Sequence, residues 1–129
     1  MDISEKEHSF LYRCKTLLDA DIPVAFGTDF PFGNPSPWVA ITSAERRKTK
    51  SGFLLGSQER IPLELALEKF IGDLSNPFEP RHIKEGRAAD FCLLDSSWSS
   101  LKSNLSDQNV RMTIIDGNIV YDRTQYESS

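Results

Sequence analysis

One stretch of this 129-residue chain constrains its fold more than any other: Pro23, Val24, Ala25 and Phe26 form a short apolar run that passes through Gly27 and Thr28 to Asp29. A run of this kind suits a strand of a parallel sheet with both faces covered. Such a strand needs neighbours on both sides, and no other segment has the same character. A helix precedes it, two helices follow, and the chain closes in a strand-rich end. That order is awkward for a self-contained domain, so the expectation is an α/β piece of something larger.

The residues after the run are the ones with chemistry to offer. Gly27 lets the backbone come close to another group, and Thr28 and Asp29 fall where the carboxyl end of such a strand opens into a loop. In an α/β barrel those ends carry the catalytic groups, so Asp29 can bind a metal or move a proton. Asp is also a common turn residue, and before Pro31 it suits a turn equally well. Around it stand Phe26, Phe30, Phe32 and Trp38. Core packing is the default for aromatics, but Phe30, Phe32 and Trp38 lie just after the strand and can line a substrate pocket.

Spacing places the other elements. Phe10, Leu11, Cys14, Leu17 and Leu18 recur at helical intervals and predict a helix over residues 9–19. Pro31, Gly33 and Pro35 make residues 30–35 a loop, and Ser36 with Pro37 opens a helix running to about Lys48. Residues 50–58 read as an exposed excursion. Behind Pro62, the stripe Leu63, Ala66, Leu67, Phe70 and Ile71 predicts the clearest helix of the chain. Pro77 and Pro80 break the pattern over residues 73–81. Strands follow at 88–95, 110–115 and 119–121, the last two closed into a hairpin by Asp116, Gly117 and Asn118. Residues 96–108 read as a short helix or loop, and 123–129 as a frayed tail.

A net charge of −4 and a pI near 5.1 argue against a general nucleic-acid surface. The local basic group Arg46, Arg47, Lys48 and Lys50 reads as a solvated helix end, where cations favour the dipole. No stretch approaches the roughly 20 apolar residues of a membrane span, and the acidic start is unlike a signal peptide, so the expected location is cytoplasmic. Cys14 and Cys92 read as buried reduced thiols rather than a disulfide or metal pair. Glu64 and Glu68, one helical turn apart beside Lys69, read as a solvated face. His8 falls in the N-terminal stretch, and His82 reads as a surface histidine because Arg81 and Lys84 flank it.

Several motifs in order resemble the C-terminal part of the amidohydrolase superfamily, in the branch called amidohydrolase family 3. The strand and acid Gly27-Thr28-Asp29-Phe30-Pro31 match that family's Gly-Ser/Thr-Asp followed by Pro. Ser43-Ala44-Glu45-Arg46 is similar to its Ala-x-x-Arg-like helix, and Leu65-Ala66-Leu67 to its later Ala-Leu helix. Gly86-Arg87-Ala88-Ala89-Asp90, running through an apolar stretch to Asp95, resembles the closing Gly-Lys-x-Ala-Asp signature. Thr113 to Tyr121 matches the final hairpin.

The resemblance implies a (β/α)8 barrel, with residues 1–82 its terminal segment and 23–27 its last strand. It assigns residues 83–122 to a small β-sandwich assembled from both ends of the full polypeptide. It further implies hydrolysis of amide or related C–N bonds of a small molecule, with a divalent metal, zinc foremost. Asp29 would then be both a metal ligand and the acceptor of the water proton. The His-x-His pair and the further histidines of that family are missing here, and one carboxylate cannot hold zinc, which needs about three protein ligands. Three readings follow: a fragment lacking its N-terminal barrel portion, a subunit completing another chain's barrel, and a non-enzymatic module or homo-oligomer without metal.

Overall fold

The computed structural model describes residues 7–73 and 76–126, and the chain divides into two compact units, Met1–Arg81 and His82–Ser129. In the first unit a 3-10 turn, His8–Phe10, leads to helix α1, Cys14–Asp19; helix α2 spans Pro37–Arg46 and helix α3 spans Leu63–Ile71. Helices α2 and α3 pack together. Their facing stripes, Trp38 and Ile41 from α2 and Leu63 and Ala66 from α3, are buried with Ile61. Each large apolar side chain so buried contributes roughly 1.5–3 kcal/mol.

Helix α3 begins behind Pro62 and ends before Gly72, as its periodicity predicts. Helix α2 starts at Pro37, with the Ser36 amide donating to Asn34 Oδ1 at 2.9 Å. It stops two residues earlier than expected because Arg47 turns left-handed, at φ 53°. The helix predicted over residues 9–19 is shorter still. Tyr12 has φ 50°, and only Cys14–Asp19 is α-helical.

Where Pro77 and Pro80 led us to expect a break, strand β1, Gly72–Asp73, pairs antiparallel with strand β2, Asn76–Pro80, Gly72 lying opposite Pro80. Proline tolerates the end of an edge strand, where no ladder donor is required. Lys48 bridges to Leu54 within the excursion that follows α2.

The second unit holds a three-stranded antiparallel sheet in the order β3-β4-β5, formed by β3, Phe91–Leu94, β4, Val110–Ile115, and β5, Asn118–Asp122. Between β3 and β4 lies the short helix α4, Trp98–Leu101, whose Leu101 is buried, as is Leu105. Phe91 pairs with Ile114, and Ile114 with Ile119. Asp116 and Gly117 both have positive φ, 48° and 76°, the requirement of a two-residue hairpin turn that follows the strand twist. Two bonds hold this turn to the residues before β3: the Asp116 amide donates to Asp90 Oδ1 at 2.8 Å and the Gly117 amide to Ala89 O at 3.0 Å.

Two expectations for this unit need correction. Residues 123–126 are not frayed but form a helical turn, α5, Arg123–Tyr126, while 127–129 lie outside the described residues. The Asp122 carboxylate accepts the Thr124 hydroxyl at 2.7 Å and the Thr124 amide at 3.0 Å, and these bonds hold its carboxyl below the usual range. Cys92 is exposed on β3 rather than buried; it is a free thiol, as is Cys14 of the first unit, which is only half-buried where burial is expected. No helix among the described residues is long and apolar enough to cross a membrane.

Candidate functional site

Residues 23–29 alternate strictly in exposure. Val24, Phe26 and Thr28 are half-buried, while Pro23, Ala25, Gly27 and Asp29 are exposed. This is the two-residue period of a strand with one covered face. The segment nevertheless lies in no sheet, because no strand among the described residues runs beside it. The expected strand of a parallel sheet with both faces covered is therefore absent: the segment is unpaired and covered on one face only. Among the described residues, the one backbone hydrogen bond of residues 23–28 runs from the Phe26 amide to Lys69 O, at 2.9 Å. The Phe26 ring meets Phe70 edge-on at 5.9 Å. Lys69 is buried, unlike the solvated neighbours Glu64 and Glu68.

Asp29 follows at φ 58°, the left-handed conformation that Asp tolerates better than most residues. Its carbonyl accepts the Gly33 amide at 2.8 Å, closing a tight turn. A Cβ at position 33 would sit 1.9 Å from Thr28 O, so only glycine fits there. The backbone thus uses Asp29 as a turn residue, and the turn leaves its side chain exposed. Phe30 and Phe32 share the turn at 68% and 91% exposure. Trp38 does not join them: at 7% exposure it belongs to the core beneath α2.

Among the described residues no three His, Cys, Asp or Glu side chains gather closely enough to hold a metal ion. His82 is exposed, and the His8 ring packs edge-on against Phe53 at 5.1 Å. A lone carboxylate on a turn does not make a zinc site, so these residues do not fit a metal by themselves.

Two buried charged residues are not visible in the sequence. Arg47, read as part of a solvated helix end, is 7% exposed, and Glu59 is 3% exposed. Arg46 and Lys48 on either side are solvated, as expected. The Arg47 guanidinium donates to three carbonyls: Nη2 to Leu11 O at 2.8 Å, Nε to Leu55 O at 2.9 Å and Nη1 to Tyr12 O at 3.1 Å. Glu59 accepts the Thr16 amide at 2.9 Å through Oε2, and its Oε1 takes the Thr16 hydroxyl. It thereby satisfies one of the orphan donors in the first turn of α1.

Burial pushes the Glu59 carboxyl up, but the two Thr16 bonds and the charges of Arg13 and Arg47 outweigh it, and its pKa falls below the ordinary value. Burial also raises the nearby Cys14 thiol, against the pull of Arg47. A helix usually leaves its last turn through glycine, and an arginine there takes on about 1–2 kcal/mol of left-handed strain that its side chain must offset.

The N-substituted formamide deformylase of Arthrobacter pascens is 27% identical over 124 residues, a span that covers 92% of this chain and 23% of the relative. The chain thus spans about a quarter of the length of this curated relative. No solved structure matches it. The amidohydrolase family matches over residues 2–121, a stretch that includes the Asp29 turn, both helices after it and the β4-β5 hairpin. By that extent of agreement, the chain belongs to the amidohydrolase family.

Proposed function

We propose that this chain is the C-terminal segment of a metal-dependent amidohydrolase acting on amide or other non-peptide C–N bonds, with Asp29 as its proton acceptor. The observation that carries the reading is the run of residues 23–28, which has the exposure pattern of a strand, no strand beside it, and the acid at its end. In this reading residues 23–27 are the last strand of a (β/α)8 barrel whose other strands lie outside the chain. Residues 83–122 are then strands of a small sandwich. The chain spans 23% of the length of the formamide deformylase, which supports reading it as a segment.

The exposed carboxylate of Asp29 takes the proton of the attacking water and passes it to the leaving nitrogen, the general acid–base role a carboxylate fills. Phe30 and Phe32, exposed on the same turn, contact the apolar part of the substrate, while Trp38 lies in the core of the first unit. The name of the relative suggests an N-substituted formamide as the substrate class. The residues described make no metal site, so the divalent ion the family implies, zinc foremost, rests on ligands elsewhere, and the isolated chain is inactive.

The test assays N-substituted formamides with added Zn²⁺, using the isolated chain and the polypeptide encoded together with its upstream in-frame sequence. The isolated chain is expected to show no turnover and the longer polypeptide to be active. Asp29→Asn in the longer polypeptide lowers kcat by about 10²–10⁴-fold. Turnover that survives Asp29→Asn refutes the role of Asp29. A chain with no upstream continuation that assembles into a stable oligomer favours the non-enzymatic module instead.

A further inference from the structure

We infer that Arg47 is a positioning residue for Asp29, closing the loop of chain that carries the acid. The argument begins with what the guanidinium joins. Leu11 and Tyr12 lie 36 and 35 residues before Arg47, and everything from α1 through the Asp29 turn to α2 falls between. Arg47 sits at the end of α2 and holds the residues just ahead of α1. The segment bearing Asp29 is therefore a closed ring with Arg47 as its neck. Holding the ends of a loop that long removes conformational freedom from all of it.

Three further observations show that the neck is built for this. Arg47 accepts a left-handed backbone, φ 53°, at a position where glycine would relax it. Its own carbonyl accepts the Leu55 amide at 2.7 Å, so side chain and backbone grip the same returning segment. Glu59, also buried, anchors α1 one turn further on through the Thr16 amide and hydroxyl. Inside the ring, residues 23–28 make a single backbone bond among the described residues, from the Phe26 amide. The Asp29 turn closes on its own Gly33 amide, but the run that leads into it is held so sparsely that its place relative to α1 and α2 rests on the neck.

The assignment takes its functional meaning from the role proposed for Asp29, but its test does not depend on activity. Amide hydrogen exchange on the full 129-residue chain reads the ring at the Phe26 and Gly33 amides. The Ala66 amide reads the α2-α3 core, and the Gly117 amide reads the second unit. In Arg47→Ala, exchange at Phe26 and Gly33 is expected to rise at least tenfold more than at Ala66, with Gly117 unchanged. Millimolar guanidinium, which can reoccupy the site lined by the Leu11, Tyr12 and Leu55 carbonyls, restores protection at Phe26 and Gly33; ammonium does not.

A rise of equal size at Phe26, Gly33 and Ala66 would reduce Arg47 to a general stabiliser and overturn the assignment, as would no rise at all. If Arg47→Ala does not fold, Arg47→Lys decides. The lysine ammonium carries its donors on one nitrogen and cannot reproduce the bonds made separately by Nε, Nη1 and Nη2, so the same selective rise is expected, and an equal rise or none overturns it. Turnover that survives Asp29→Asn would remove the role of Asp29 while leaving the exchange result to decide whether Arg47 closes the ring.

Discussion

Replacing Gly33 with alanine tests the geometry of the Asp29 turn directly. The new Cβ would lie 1.9 Å from Thr28 O and 3.1 Å from Thr28 C, both backbone atoms that cannot swing away as a side-chain tip can. Reaching an ordinary contact of 3.4 Å requires the Thr28 carbonyl to retreat by about 1.5 Å. That movement rotates the peptide leading into Asp29 and breaks the 2.8 Å bond from the Gly33 amide to Asp29 O.

Overpacking of this kind costs about 1–3 kcal/mol and the lost bond about 1 kcal/mol, so the first unit should lose about 2–4 kcal/mol. Urea unfolding followed by Trp38 fluorescence in a Trp98→Phe background reports that unit, since Trp98 belongs to the other. With a slope near 1 kcal/mol per molar urea, the midpoint falls by about 2 M or more. If the turn opens locally instead, the loss approaches about 1 kcal/mol and the amide of residue 33 exchanges freely. Gly27→Ala is the control: nothing lies within 4 Å of its Cβ, and the expected change is neutral or a gain of about 0.4–1 kcal/mol. A Gly33→Ala protein with the original midpoint and a protected amide at position 33 would refute the turn geometry.

Glu59→Gln should lower the stability of the first unit by about 1.5–3 kcal/mol at pH 7, the range for hydrogen bonds to a charged group. Because the folded carboxyl lies below its ordinary value, its stabilisation is complete above the ordinary glutamate range and is lost as pH falls through the folded value. Urea midpoints at pH 7 and pH 3 should therefore converge in the variant, and equal pH dependence in both proteins would count against the buried carboxylate. Gly117→Ala forces an alanine to φ 76° and should cost the second unit about 1–2 kcal/mol, read by thermal unfolding with Trp98 as the reporter. An unchanged melting temperature would contradict the two-residue turn.

The elements that were legible in the sequence are those whose cause is local. Helix α3 carries five apolar residues on one stripe behind a proline, and the β4-β5 hairpin has Asp116-Gly117 where two positive φ angles are required; both form as their residues dictate. The run at residues 23–27 reads as a strand buried on both faces and is instead unpaired with one face covered, because pairing is a property of neighbours, and none is present among the described residues.

Arg47 and Glu59 were illegible for a related reason. Their burial depends on carbonyls and a threonine 35 to 43 residues away, which no local spacing reveals. The turn at Asp29 is the one its place before Pro31 predicts. The exposure of Phe30 and Phe32 fits their expected place in the loop, whereas Trp38 was drawn into the core by the helical stripe it shares with Ile41.

The β4-β5 hairpin has a further consequence for the order in which its sheet assembles. Its strands are joined by two residues, so the pair can close within about 1–10 μs without waiting for distant contacts. Strand β3 must instead close the connection of residues 95–109 before it finds β4. During synthesis the order of emergence is the reverse. β3 leaves the ribosome first and remains without its ladder until residues 110–122 follow, so the sheet nucleates at its last hairpin and grows back toward the strand made earlier.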